Sequence, residues 1–358
     1  MRGWLIRTGV ERSLAEVRYV SPVSRAAAQG LVAETYRRIE REFGILAPPL
    51  VLHSPNPVVL AAAWSMLRAT LVLPGRLARA DKEAVAAAVS LGNQCPYCVE
   101  VHSSVLGGLG GGRAATMISR DRLDQLPPGR LRGLARWARG APQLRAAPGP
   151  LPFAADAAAE AIGVVVTFHL LNRMVNIFLQ DSPMPAAAPP MVRRVIRRGL
   201  GRVMRLAAAD LPDERQPLLP PAVPAGDLAW AAGRTEIADA MARSAAAIET
   251  VGRQVVPAGV RELMGELVAS WDGQPAGLSR RWAQEAIAGL AAEDRPAGRL
   301  AVLAAFASYQ VDDEAVAEYQ GSGADDEALV GLTSWASLQA ARRVGAWAAR
   351  SLPPIPAL

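Results

Sequence analysis

With 358 residues, 51% of them hydrophobic and 20% charged, the chain can bury a sizeable core and has the length of about two domains by the usual 100–200 residues each. The formal net charge of +6 comes from 39 basic and 33 acidic residues, and the balance is nearly even outside one arginine-rich segment. With no interleaved aromatics and no base-reading motif, a nucleic-acid partner is not expected. Strand signals are few, since alanine and leucine dominate, aromatics make up 5%, and the periodic segments are long, so an all-α fold is expected. Residues 1–20 hold no apolar run of signal-peptide length, and no stretch of about 18 uninterrupted apolar residues occurs. A cytoplasmic protein is the expectation, and in that compartment a C-x-x-C is catalytic or metal-binding more often than a structural disulfide.

In chain order, residues 24–43 read as an amphipathic helix, 45–57 as a proline-containing connection, and 57–71 as a second helix. Asp81 is placed to cap a helix over 82–91, Gly92-Asn93-Gln94 breaks it, and Pro96 suits the first turn of the next helix. The glycine run 107–112 reads as a flexible turn. Helices are expected over 131–139 and 154–179, separated by the proline-rich 141–152, and 181–190 is a plausible linker. Residues 191–206, with arginines at 193, 194, 197, 198, 202 and 205, form a basic amphipathic helix, either a solvated face packed on the protein or a contact surface.

The chemistry gathers in residues 81–106, which contain the only two cysteines and one of the three histidines. Cys95 and Cys98 make a C-x-x-C, His102 lies four residues after Cys98 and so shares its helix face, and Glu83 precedes Cys95 by twelve. Glu83 reaches the cysteines only if its helix packs beside theirs. Three readings are open: two buried small hydrophobes, a zinc site, and a redox pair whose thiolate is favoured by the helix N-terminus. Polar neighbours count against the first and the lack of a second ligand pair against the second, so no metal is expected. Helix-end reasoning alone makes Cys95, at the N-terminus, the more acidic and more exposed thiol.

Glu83, Cys95, Cys98 and His102, in EAVAAAVSLGNQCPYCVEVH, resemble the active-site motif of the alkylhydroperoxidase D family, part of the all-helical carboxymuconolactone decarboxylase-like superfamily. Phe168, Asn172 and Arg173 resemble the closing helix of that family and extend the likeness over roughly residues 20–180, with His169 and Asn172 expected to approach the site. The resemblance implies a thiol peroxidase and disulfide oxidoreductase. Cys98 would attack the peroxide, Cys95 would resolve the sulfenic acid, and Glu83 would act as base through His102, helped by a pKa raised on desolvation. No dinucleotide fingerprint and no other cofactor signal occurs, so reducing equivalents are expected from an external dithiol, which by resemblance is a lipoyl-bearing or thioredoxin-like protein, exchanging at Cys95. The rival readings are a decarboxylase of the same superfamily and a non-enzymatic redox-sensing or scaffold module.

Laid on the first half, residues 226–350 place Glu262, Gln274 and Arg281 opposite Glu83, Cys95 and His102, with 300–307 on 131–138 and 335–344 on 168–177. A tandem duplication is expected: residues 1–190 as the thiol unit, 191–225 as a basic helix and proline-rich linker, and 226–358 as a degenerate repeat lacking the cysteines. By resemblance to a superfamily that buries its helices between subunits, a homo-oligomer, most simply a trimer, follows.

Overall fold

A computed structural model describes residues 17–145, 150–183, 191 and 216–352, and the regular structure among them is entirely helical. The basic segment expected over 191–206 lies outside the described residues except for Met191. The first unit contains α1 (Gly30–Phe43), α2 (Pro57–Leu67, prolonged by a π turn Arg68–Val72), α3 (Arg79–Gly92), α4 (Pro96–Leu106), α5 (Gly112–Ser119), α6 (Arg130–Arg139) and α7 (Ala158–Phe178). The second contains α8 (Thr235–Val255), α9 (Ala258–Ser270), α10 (Arg281–Ala286), α11 (Arg295–Phe306), α12 (Asp313–Gly321) and α13 (Asp326–Ala348).

Local chemistry sets the helix ends. Asn56 caps α2 by accepting from Val59 N at 3.1 Å, with Pro57 at the first helical position, and Asp312 and Asp325 cap α12 and α13 in the same way. Three expected boundaries move. Helix α1 starts at Gly30, not Ser24, because Ser24 closes a turn on Ala27 N and Gly30 enters the helix at φ +51°. Asp81 is not the cap of α3, which begins at Arg79; Asp81 sits in its first turn and meets Arg130 at 2.7 Å. The glycine run is a kinked π turn, Gly107–Gly111, rather than a loop, with Gly110 at φ +95° before the helix resumes as α5.

The centre is a layer of four helices. Helix α2 packs on α8, α7 packs on α13, and each unit closes on itself through α2–α7 and α8–α13. Helix α7 is mostly apolar and buried almost throughout, from Ile162 to Phe178, each large apolar side chain contributing roughly 1.5–3 kcal/mol of burial. Residues 155–178 are long and apolar enough to cross a membrane, but they form the middle of this core. On the flanks, α3 packs on α7 and carries α4, while α11 packs on α13 and carries α12. Helix α6 covers α3, and α9 covers α11, although α6 follows its partner in sequence and α9 precedes its own. The chain is thus a tandem pair of helical units.

This pairing revises the register of the repeat. Helices α3 and α11 begin 216 residues apart, at Arg79 and Arg295, and α4 and α12 begin 217 apart, at Pro96 and Asp313. The counterpart of α3 is therefore α11 and not α9, the helix that contains Glu262. The match of Glu262, Gln274 and Arg281 to the motif fails because those residues lie in covering segments.

A buried ion cluster ties the units at the entry to α3. Glu160 of α7, which is 0% exposed, accepts from the backbone N–H groups of Arg76 and Leu77 at 2.7 and 3.0 Å. It also pairs with Lys82 at 3.2 Å and with Arg234 of the second unit at 3.1 Å. Lys82 Nζ donates in turn to Leu73 O at 2.9 Å. Burial would raise the Glu160 carboxyl, yet the two backbone donors and Lys82 hold it below its ordinary value.

Candidate active site

The α3–α4 corner brings all four motif residues into one buried region. Ser90 O accepts from Cys95 N at 2.9 Å, and Gln94 takes a left-handed conformation at φ +51°, so the chain turns back on itself within Gly92–Gln94. Gly92 is required here, since a Cβ would meet Arg139 O at 2.9 Å. Cys95 then stands at the N-cap position of α4, with Pro96 at the first helical position and Cys98 and His102 on successive turns.

Because α3 lies alongside α4, Glu83 reaches His102: Glu83 Oε2 and His102 Nδ1 are 2.7 Å apart. The other carboxylate oxygen accepts from Arg79 Nε at 2.7 Å, an i,i+4 contact within α3. Glu83 is 0% exposed and His102 6%. Burial works to raise the Glu83 carboxyl, but Arg79 and His102 outweigh it and hold it below the ordinary carboxylate value. The expected raised pKa is thereby corrected: Glu83 is a stable anion that fixes Nδ1 of His102 and leaves Nε2 for other work.

Both thiols are free and buried, Cys95 at 1% exposure and Cys98 at 4%. Cys95 is therefore not the more accessible sulfur. Burial, reinforced by a hydrogen bond with Cys98 and its charge, pushes the Cys95 thiol well above its ordinary value, against the helix-end expectation. The end of α4 offers partial positive charge, but desolvation exceeds it at this position.

Helix α7 completes the walls. The Phe168 ring stands edge-on to His102, centroids 4.5 Å apart, and fixes the imidazole plane. Asn172 Nδ2 donates to Ser90 Oγ at 3.1 Å, and its carbonyl oxygen accepts from Asn93 Nδ2 at 3.0 Å, bracketing the corner loop as expected. His169 does not approach the cysteines; its Nδ1 lies 2.9 Å from Arg173 Nη1. Sequence reasoning missed Arg79, although its i,i+4 spacing to Glu83 was the available signal.

The second unit keeps the spacing and replaces the chemistry. Arg299, Val311, Glu314 and Glu318 lie 216 residues after Glu83, Cys95, Cys98 and His102. Arg299 Nη2 meets Glu314 at 2.9 Å and Nη1 meets Glu318 at 2.8 Å, so an ion triad fills the place of the thiol and the imidazole.

The sequence model of the carboxymuconolactone decarboxylase family matches residues 59–112, a span that includes the whole motif. A protein of Mycobacterium tuberculosis (strain ATCC 25618 / H37Rv), named alkyl hydroperoxide reductase Rv2159c, is 36% identical over 333 residues, covering 92% of this chain and 94% of its own. Among solved structures, an alkylhydroperoxidase AhpD core, an uncharacterized peroxidase-related protein from Ralstonia eutropha JMP134, aligns at 20% identity and a TM-score of 0.37, over 49% of this chain and 97% of that one. The relative that matches nearly end to end, together with the family match across the motif, shows that the chain belongs to the alkylhydroperoxidase D-like branch of the carboxymuconolactone decarboxylase family.

Proposed function

We propose that the chain is a thiol-dependent hydroperoxide reductase acting through Cys98, Cys95, His102 and Glu83. The observation that carries this reading is the 2.7 Å Glu83–His102 contact one helical turn from Cys98, among buried side chains. A full-length relative named for alkyl hydroperoxide reduction supports it.

In the first step His102 Nε2 takes the Cys98 proton, and the thiolate attacks the peroxide. The S–O bond forms, the O–O bond breaks, and the alkoxide leaves with a proton from His102, giving an alcohol and a Cys98 sulfenic acid. Cys95 then attacks that sulfur, the S–S bond forms, and the oxygen departs as water. The net change is one hydroperoxide and two thiols to alcohol, water and disulfide. Glu83, held ionised, keeps Nδ1 occupied and stabilises the imidazolium at each proton transfer, so its part is orientation and charge stabilisation, not proton abstraction.

An external dithiol returns the disulfide to thiols, and burial of both sulfurs means that the start of α4 must loosen to admit it. We further propose a homo-oligomer, most simply a trimer, which light scattering tests. The decarboxylase reading is favoured only by the family match over 59–112.

The test is stopped-flow reaction of the reduced chain with an alkyl hydroperoxide, counting thiols before and after. Loss of two thiols per chain, far faster than with free cysteine and abolished by Cys98→Ser, supports the proposal. A rate no faster than free cysteine overturns it, and lactone decarboxylation undiminished by Cys98→Ser would select the rival.

A further inference from the structure

The two units meet at a cavity that the thiol chemistry leaves unused. The corner loop Gly92–Gln94 of the first unit and its counterpart in the second, Ser308 and Tyr309, line a space of about 40 Å³, and Arg173 of α7 lines it with them. Asn176 bridges the two corners, donating to Asn93 O and Ser308 Oγ at 3.0 Å each.

Arg173 is 6% exposed. Its Nε donates to Ala305 O at 2.8 Å, and Nη1 donates to His169 O at 2.7 Å and to His169 Nδ1 at 2.9 Å. A guanidinium carries five N–H donors, so these contacts leave both donors on Nη2 without a partner among the described residues. No carboxylate among the described residues pairs with the charge. Burial lowers the Arg173 pKa to about 10, which leaves the side chain cationic at neutral pH. His169 adds no second positive charge, because burial and then Arg173 itself hold that imidazole neutral. The cation thus has no carboxylate partner among the described residues, and Arg173 lines the cavity, where an anion can reach it.

Trp271, Gln274 and Phe306 line this cavity and also an open groove of about 300 Å³ on the second unit. The groove continues over Leu267, Trp282 and Ala286, an apolar and aromatic surface. Arg173 in the cavity, with Trp271 and Phe306 as aromatic walls shared with the groove, supplies the two parts of a site for an amphipathic acid. We propose that this seam binds a small carboxylic acid with an apolar tail, its carboxylate on Nη2 of Arg173 and its tail against Trp271, Trp282 and Phe306. The site is distinct from the thiols, although the loop that lines it runs directly into Cys95.

The experiment is titration of the full chain with octanoate and with octanol, read by tryptophan fluorescence and calorimetry. Octanoate is expected to bind at least about tenfold more tightly than octanol, a preference that Arg173→Gln reduces to within about twofold. Trp282→Ala is expected to weaken both ligands, and affinity is expected to rise along the series from acetate to octanoate. Equal affinity of the native chain for octanoate and octanol overturns the proposal. So does a flat chain-length series, which stays decisive if Arg173→Gln fails to fold. The titrations are repeated on Cys98→Ser, with unchanged affinities expected, so that a failed peroxidase assay and a failed binding site are read separately.

Discussion

The corners α3–α4 and α11–α12 are built to the same spacing, and they differ in where the charge is buried. In the first, an anion is enclosed: Glu83 is 0% exposed at its side chain and touches Arg79 and His102. In the second, the enclosed group is a cation, Arg299 at 9%, and its carboxylate partners Glu314 and Glu318 stand 67% and 43% exposed in water. An enclosed carboxylate against an imidazole can serve proton transfer. A half-solvated ion triad can only hold two helices together. The same corner folds with Arg, Val, Glu and Glu at these positions, so the thiols and the Glu83–His102 pair are separable from the architecture.

The sharpest break between the corners is nucleophilic. Cys98→Ser is expected to lower peroxide consumption by at least about 10³-fold, while Arg299→Ala leaves it unchanged, both by initial-rate assay. Glu83→Gln should cost about 10²-fold in rate through the misheld imidazole, and Glu318→Gln nothing. Cys95→Ser should still react once and then stop at the sulfenic acid, seen as one equivalent of a dimedone adduct on Cys98 by mass spectrometry.

Stability separates the units less strongly. Gly273→Ala, at φ +83° with a Cβ only 2.1 Å from Pro142 O of the first unit, should lose about 2–3 kcal/mol in urea unfolding. Arg299→Ala should lose about 1 kcal/mol, since its partners are largely solvated. The smallest effect is in the acid limb. Glu83 has a folded pKa below its ordinary value of 4.5, so its contribution is present above that pH and fades as pH falls through the depressed value. Glu83→Gln should flatten the pH dependence of stability in that window.

The active corner was legible because its signals are local: a C-x-x-C, a histidine one turn on, and a preceding helix able to lie alongside. The pKa directions were not, since they depend on Arg79 and on burial under Phe168 and Asn172, which come from another turn and another helix. The helical class followed from periodicity and the duplication from segment matches. The match of 335–344 to 168–177 does set α13 on α7, but 300–307 belongs to α11, the counterpart of α3, and does not stand opposite 131–138 of α6. At the four equivalent positions Glu, Cys, Cys and His became Arg, Val, Glu and Glu, so no chemical likeness remained to align. Glu262 and Gln274, twelve apart, imitated the motif by chance, and only helix packing distinguishes the two registers. Arg173 read as part of a family-like pattern, whereas its unpaired charge emerges only when α7, α11 and the two corners are assembled.

Lys82 is the sole lysine of the sequence and is 1% exposed, locked between Glu160 and Leu73 O. The surface of the folded chain therefore carries no lysine amine, and an acylating reagent finds this one only when the seat of α3 comes apart. Modification of Lys82, followed by peptide mass, is a clock for that opening. Because the same helix holds Glu83, the clock times how often the Glu83–His102 contact itself is dismantled.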